Sequence, residues 1–465
     1  MSRAAFAPAA NGARAHNFGL VICGGGPAGL GLLICAAREG KLERLLDEGV
    51  AIVERRDTLG SGSMAHYRIN ANSLGVAFLE SLDELREQER FARLLDAEAT
   101  RELAAWRDRR PPLRVVGRYL AELGAVVGGT VARHPSCEVV TQTEVRKIRL
   151  LPGGGVVVSG SRANEDEYSV TGKRAVIAMG GKPPADFASC TLAPGLDLRP
   201  FASKVVHASK LLDSRSEVEP ELRASLAGGA PVTIVGGRHS GWSTAWLLLN
   251  DDRFRAENPG DGRITILHRG TIDLFFPTAA EAEAAGYSVD LAKDVCPLSG
   301  RVHRYGGLRG DARALALQTL RGAGRAAQIR LVDLQTAAGV EAARSALEQA
   351  AVVISATGHQ PRLPELVAAD GAPLHVAYRR GGAATSERAL FTSEDGSELP
   401  ELVGYGLGAG LKVSPDVGGE QGYPVAEGVW LYHYDVGRVV LRTLFPDDSG
   451  VPLEEEHHPH LEPVE

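Results

Sequence analysis

Short, continuously apolar runs separated by amphipathic stretches punctuate most of this chain. Residues 20–23, Val50–Val53, Val232–Val235, 264–267 and Val352–Ser355 read as buried strands of parallel sheets, because each run is uncharged and apolar at most positions, with only Thr233, Thr265 and Ser355 polar. Helical periodicity over 74–108 (Leu74, Phe78, Leu79, Leu82, Leu85, then Leu94 and Leu95) predicts helix there. A further helix follows the Pro111-Pro112 break, through Val115, Val116, Tyr119, Leu120 and Leu123. From Cys137 to Met179 the pattern predicts antiparallel strands at 139–140, 145–150, 156–158 and 175–178, with a turn at 153–155. Residues 41–49 read as an insertion, 59–63 as a flexible loop, and about 425–444 as an amphipathic helix.

Two of the strands run into glycine-rich turns. The first is Cys23-Gly24-Gly25-Gly26-Pro27-Ala28-Gly29, with Gly24 for the tight turn, Gly26 for close approach to a pyrophosphate and Gly29 for helix packing. The next strand ends in Glu54, a carboxylate suited to the hydroxyls of an adenosine ribose that lacks a 2′-phosphate. The second turn keeps Gly236 and Gly241 but carries Arg238 at the middle position, where the side chain must swing aside or bind phosphate itself. Arg238, His239 and Ser240 precede a helix whose N–H groups can meet an anion. The following strand ends in His268-Arg269, and Arg269 suits the extra phosphate of NADPH. Two such motifs point to FAD at the first site and NADPH, in preference to NADH, at the second.

Composition narrows the classes further. A formal net charge of −7 gives no footprint for nucleic acid. No apolar run approaches membrane-spanning length, and residues 1–16 lack a signal-peptide core, so they read as a disordered tail. Cys23, Cys35, Cys137, Cys190 and Cys296 form no close pair, which points to a reducing cytoplasm and away from a thiolate metal site or a flavin–disulfide reductase. The His457-His458-Pro459-His460 run belongs to an acidic tail, 447–465, rather than to a metal site.

In these respects the chain resembles the flavin-containing and N-hydroxylating monooxygenases. The resemblance rests on the two glycine motifs in order, on Phe201-Ala202-Ser203-Lys204-Val205-Val206-His207 against that family's F-x-G-x-x-x-H fingerprint, on Ala356-Thr357-Gly358 after a buried strand, and on the helix through Tyr119-Leu120. Ser203, Leu211 and Arg238 depart from the pattern, and the loop over 60–72 lacks the family's tryptophan. The resemblance implies an α/β protein with two Rossmann-like domains, FAD (17–185 and 360–446) and NADP (200–355), the second inserted into the first. It implies that NADPH reduces the flavin, which then traps oxygen as a C4a-(hydro)peroxide to oxygenate a small organic substrate, with nitrogen one candidate position and the substrate left open. Because the cofactor does the hard chemistry, no catalytic side chain is nominated. Gly358 and Gly408 join the cofactor residues; Asn70, Asn72 and His207 are substrate candidates, with Met64, Tyr67 and Arg68 near the same mouth. A helix starting near Pro424 would face the flavin pyrimidine. The rival readings are an oxidase or dehydrogenase without oxygen insertion, and a flavin-binding protein with a decayed nicotinamide site. Homo-oligomerisation is left open.

Overall fold

The computed structural model describes residues 17–446, apart from 165, 257–259, 323, 380–381, 408, 410, 413–416, 421–422, 424 and 427. Both tails, Gly408 and Pro424 therefore lie outside the described residues.

The apolar runs become two parallel sheets with the same strand order. In the first, β1 (Asn17–Cys23) lies at the centre, β2 (Val50–Val53) and β3 (Glu138–Val140) flank it on one side, and β6 (Glu167–Ile177) on the other. Between them in sequence, β4 (Thr143–Leu150) and β5 (Val156–Arg162) form an antiparallel extension from β6. In the second sheet β8 (Val232–Val235) is central, with β9 (Ile264–His268) and β10 (Ile329–Asp333) on one side, and β11 (Val352–Ser355) and β7 (Val205–His207) on the other. All four residues of β2, β8 and β11 are buried, as strands covered on both faces must be. After β11 the chain returns to the first sheet: β12 (Glu365–Val367) pairs with β4, and β14 (Glu398–Gly404), itself paired with β13 (Leu390–Thr392), runs parallel to the end of β6.

Helix α1 (Pro27–Arg38) follows β1 and is buried along nearly its whole length. Residues 41–49 form helix α2 (Leu42–Glu48), which Gly49 ends at φ +88°. The single helical stretch expected over 74–108 is three helices: α3 (Val76–Leu85), α4 (Glu89–Leu95) and α5 (Glu98–Ala104). Extended backbone at Gln88 and Ala97 makes the breaks, yet Leu82, Leu85, Leu94 and Leu103 all stay in the core. Helix α6 (Leu113–Arg133) corrects the expectation about apolar runs, being long and apolar enough to cross a membrane. Its apolar face, with Tyr119 and Leu120, is instead buried beneath α4 and α5.

Two further expectations are corrected. The strand at 139–140 pairs parallel to β2 rather than joining the antiparallel set, which begins at Thr143. The C-terminal helix over 425–444 divides: 425–426 pair with 411–412 as strand, then come α10 (Val429–His433) and α11 (Asp435–Leu444). Tyr434, at φ −127° and ψ −105°, cannot continue a helix. The break is held from outside: Arg38 lies 3.5 Å over the Tyr434 ring and donates to the His433 carbonyl, the Tyr434 hydroxyl donates to Glu84, and Trp430 donates to Glu80.

Candidate active site

The two glycine turns have the same architecture. Gly24 sits at φ +108°, where a Cβ would lie 2.5 Å from the Ala178 carbonyl oxygen; at Gly236 the figures are +132° and 2.4 Å, from Ala356. A Cβ on Gly29 or on Gly241 would stand 2.0 Å from the carbonyl oxygen of Gly24 or Gly236 respectively. These glycines are required by sterics, for the turn and for seating the helix against its own strand. At the middle position the backbone is extended in both turns, φ −78° at Gly26 and −102° at Arg238, so a side chain is allowed there. Arg238 uses that freedom to swing aside, 2.6 Å from Asp273 and donating to the Gly306 carbonyl.

A cavity of about 660 Å³ opens between the turns. From the first motif, Gly24, Gly26, Pro27, Ala28 and Glu54 line it, and Asn70 and Asn72 join them. From the second motif it reaches Ser240, together with His239 and Ser243 on helix α7 (His239–Asn250). Glu54 is 8 % exposed; its carboxylate accepts the Gly25 and Arg56 N–H groups at 2.8 and 3.0 Å, and lone pairs remain. The 59–63 loop is tighter than a flexible loop. A Cβ on Gly60 would stand 1.8 Å from the Leu120 carbonyl oxygen, so the loop is pressed onto α6 while Gly62 and Ser63 face the cavity.

Gly29, Gly236, Arg238, Gly241, Arg269, Gly358 and His207 are not on the cavity wall. Arg269 stands exposed at the end of β9 and donates to the carbonyls of Leu192 and Thr191. Gly358 turns at φ +99° after β11. His207 is buried edge-on between the rings of Phe187 and His359, its Nδ1 accepting the Ser209 N–H, and His359 rather than His207 reaches the cavity. Burial, then His359, pushes the His207 imidazole down to about 4. His239 is also pushed down to about 4, by burial and then by the charges of Arg309 and Arg238; its Nε2 accepts the Arg309 N–H at 3.1 Å. These imidazoles are neutral at pH 7.

Sequence reasoning missed a large part of the wall. Arg301, Arg304, Tyr305 and Arg309 come from the segment after β9, and Gly428 to Tyr432 from the start of α10. The first group had a signal: three arginines around the Gly306-Gly307 pair, a composition suited to an anion. The helix expected to start near Pro424 starts at Val429, and its opening residues do face the cavity.

No family model matches the chain. Among curated proteins it is 40 % identical over 439 residues to the CMP-5′-(3-aminopropyl)phosphonate hydroxylase of Streptomyces rubellomurinus, across 93 % of this chain and 98 % of that protein. Among solved structures, the reduced form of ornithine hydroxylase from Pseudomonas aeruginosa matches at a TM-score of 0.51 and 13 % identity, over 92 % of this chain and 99 % of that one. That second likeness is one of fold, an α/β arrangement with parallel sheets. With a relative of this identity along almost its full length, the chain belongs to that hydroxylase's family and is an oxidoreductase.

Proposed function

We propose that the protein is an FAD-dependent, NADPH-consuming monooxygenase that N-hydroxylates the primary amine of a small substrate bearing a phosphonate or phosphate. The observation that carries this reading is a cavity lined from both motifs, by Gly24, Gly26, Pro27 and Ala28 on one side and by His239, Ser240 and Ser243 on the other. The substrate class is taken from the relative, whose name specifies an aminopropyl phosphonate.

The first turn fits FAD. A Cβ on Gly26 would meet nothing nearer than the Gly62 Cα at 3.7 Å, so bare backbone faces the cavity where a diphosphate would lie. Gly24 and Gly26 would hold that diphosphate and Glu54 the ribose, while Gly29 seats the helix behind them. Bound there, the flavin supplies the redox chemistry that activates oxygen. The second turn fits a nicotinamide dinucleotide: Ser240, on the cavity wall, would meet its pyrophosphate at the start of α7, and Arg269, exposed outside the wall at the end of β9, would meet the 2′-phosphate by leaving the Leu192 carbonyl. The division of labour follows the sheets, with 17–185 and 360–446 serving FAD and 200–355 serving NADPH. Trp430, Leu431 and Tyr432 line the cavity from α10 and would keep water from the reacting amine. Neutral His239 and His359 leave that amine free of a nearby histidine charge.

The test is anaerobic mixing of the yellow protein with NADPH, followed by oxygen and an aminoalkyl phosphonate. The expected outcome is bleaching, then reoxidation with a product heavier by one oxygen atom. Bleaching followed only by hydrogen peroxide would make the protein an oxidase. Failure to bleach would remove the nicotinamide site from the proposal.

A further inference from the structure

The cavity wall carries six arginines, Arg55, Arg56, Arg301, Arg304, Arg309 and Arg362, against two carboxylates, Glu54 and Glu144. The chain as a whole is acidic, at −7, so this positive lining is local. Both carboxylates sit with the first sheet, where Glu144 lies 3.9 Å from Arg362. The segment 301–309 brings three arginines to the wall and no carboxylate.

That segment is firmly held. Arg304 is 7 % exposed, with its guanidinium 3.2 Å from Asp435 and donating to the Val417 carbonyl at 2.8 Å. The buried Glu420 carboxylate accepts the N–H groups of Tyr305 and Gly306. The Arg309 guanidinium lies 4.0 Å over the Phe275 ring and donates one N–H to the Arg304 carbonyl, and its backbone N–H is fixed by His239. Just beyond, Asp311 accepts a 2.8 Å hydrogen bond from Asn70, which joins this wall to the loop on which the substrate candidates lie. The three arginines share the cavity wall with Asn70 and Asn72, a setting suited to an oxyanion with several acceptor oxygens.

We infer that Arg301 and Arg309 form the anion-binding part of the substrate site and take the phosphonate or phosphate group of the amine substrate. Arg304 is a positioning residue, anchoring the segment through Asp435 and Val417. The inference rests on the reading that the cavity accepts a phosphorus-bearing amine. A phosphorus oxyanion could equally belong to the 2′-phosphate of NADPH, and the experiment must separate the two.

Binding is measured by calorimetry on the oxidised holoenzyme, so that no turnover is needed. The probes are CMP-5′-(3-aminopropyl)phosphonate, 3-aminopropylphosphonate and propylamine. Both phosphonates should bind at least about tenfold more tightly than propylamine, as charge-assisted hydrogen bonds to phosphorus oxygens require. Arg301→Gln and Arg309→Gln should each weaken the phosphonates by about tenfold or more without changing propylamine, Arg309→Lys should recover part of the loss, and NADPH affinity should stay within about twofold. Phosphonates that bind no better than propylamine to the unmodified protein would overturn the inference without any variant. So would variants that weaken all three probes alike. A matching loss of NADPH affinity would assign the arginines to the dinucleotide instead. Arginine-dependent phosphonate binding without any hydroxylated product would sink the proposed reaction and leave the anion site standing.

Discussion

One methyl group separates what two glycines of the first turn do. On Gly29 it would collide with the Gly24 carbonyl oxygen at 2.0 Å, whereas on Gly26 it would enter open cavity. Gly29→Ala must therefore push α1 off β1, at a cost of about 1–3 kcal/mol or more. It should lower the melting temperature and yield colourless protein. Gly26→Ala should melt with the parent protein and lose flavin selectively, seen as a reduced flavin-to-protein ratio. The second turn repeats the experiment: Gly241→Ala should keep flavin but lose NADPH-driven bleaching. Identical behaviour of the Gly26 and Gly29 variants would refute the distinction. Gly24, Gly29, Gly236 and Gly241 were legible in the sequence because a steric demand leaves no alternative residue. Arg301 and Arg309 were not, because an arginine looks the same on a solvated loop and on a cavity wall.

Among the elements, the joint between α10 and α11 is the most telling. Periodicity over 425–444 carried the apolar face correctly, since Val436, Val439 and Val440 are buried, but not the break at Tyr434. That break is dictated by Arg38, Glu80 and Glu84, which are far away in sequence. The three helices α3 to α5 show the same limit: their apolar spacing was readable, their joints were not. At the joint His433 is 1 % exposed, its Nδ1 2.9 Å from the Ser81 hydroxyl, and burial together with Arg38 pushes it down to about 3. His433 and His207 ordinarily titrate near 6.5 once unfolded. Below that pH the unfolded chain binds protons that the folded chain refuses, so stability present above pH 6.5 is lost as pH falls toward 4. The slope is about 1.4 kcal/mol per pH unit for each histidine. Thermal melts between pH 5 and 6.5 should show it, and His433→Asn should make it shallower by one proton; an unchanged slope would mean that His433 is already charged in the fold.

The whole molecule places a basic hollow inside an acidic body. The parallel strands and the first glycine turn were readable because each is written locally, as an apolar run or a turn. The cavity is written nowhere locally: its wall draws on residues from 24 to 432. Its charge has a kinetic consequence. An anionic ligand approaching from afar meets a body of net charge −7, and feels the arginines only at the entrance. At about 0.15 M salt the screening length is roughly 8 Å, so added salt quiets the distant repulsion before it weakens contact with the wall. Stopped-flow traces at increasing ionic strength should therefore show CMP-5′-(3-aminopropyl)phosphonate arriving no more slowly while it departs faster. Arrival that slows steeply with salt would mean that the arginines project their attraction beyond the mouth, drawing anions in rather than merely keeping those that enter.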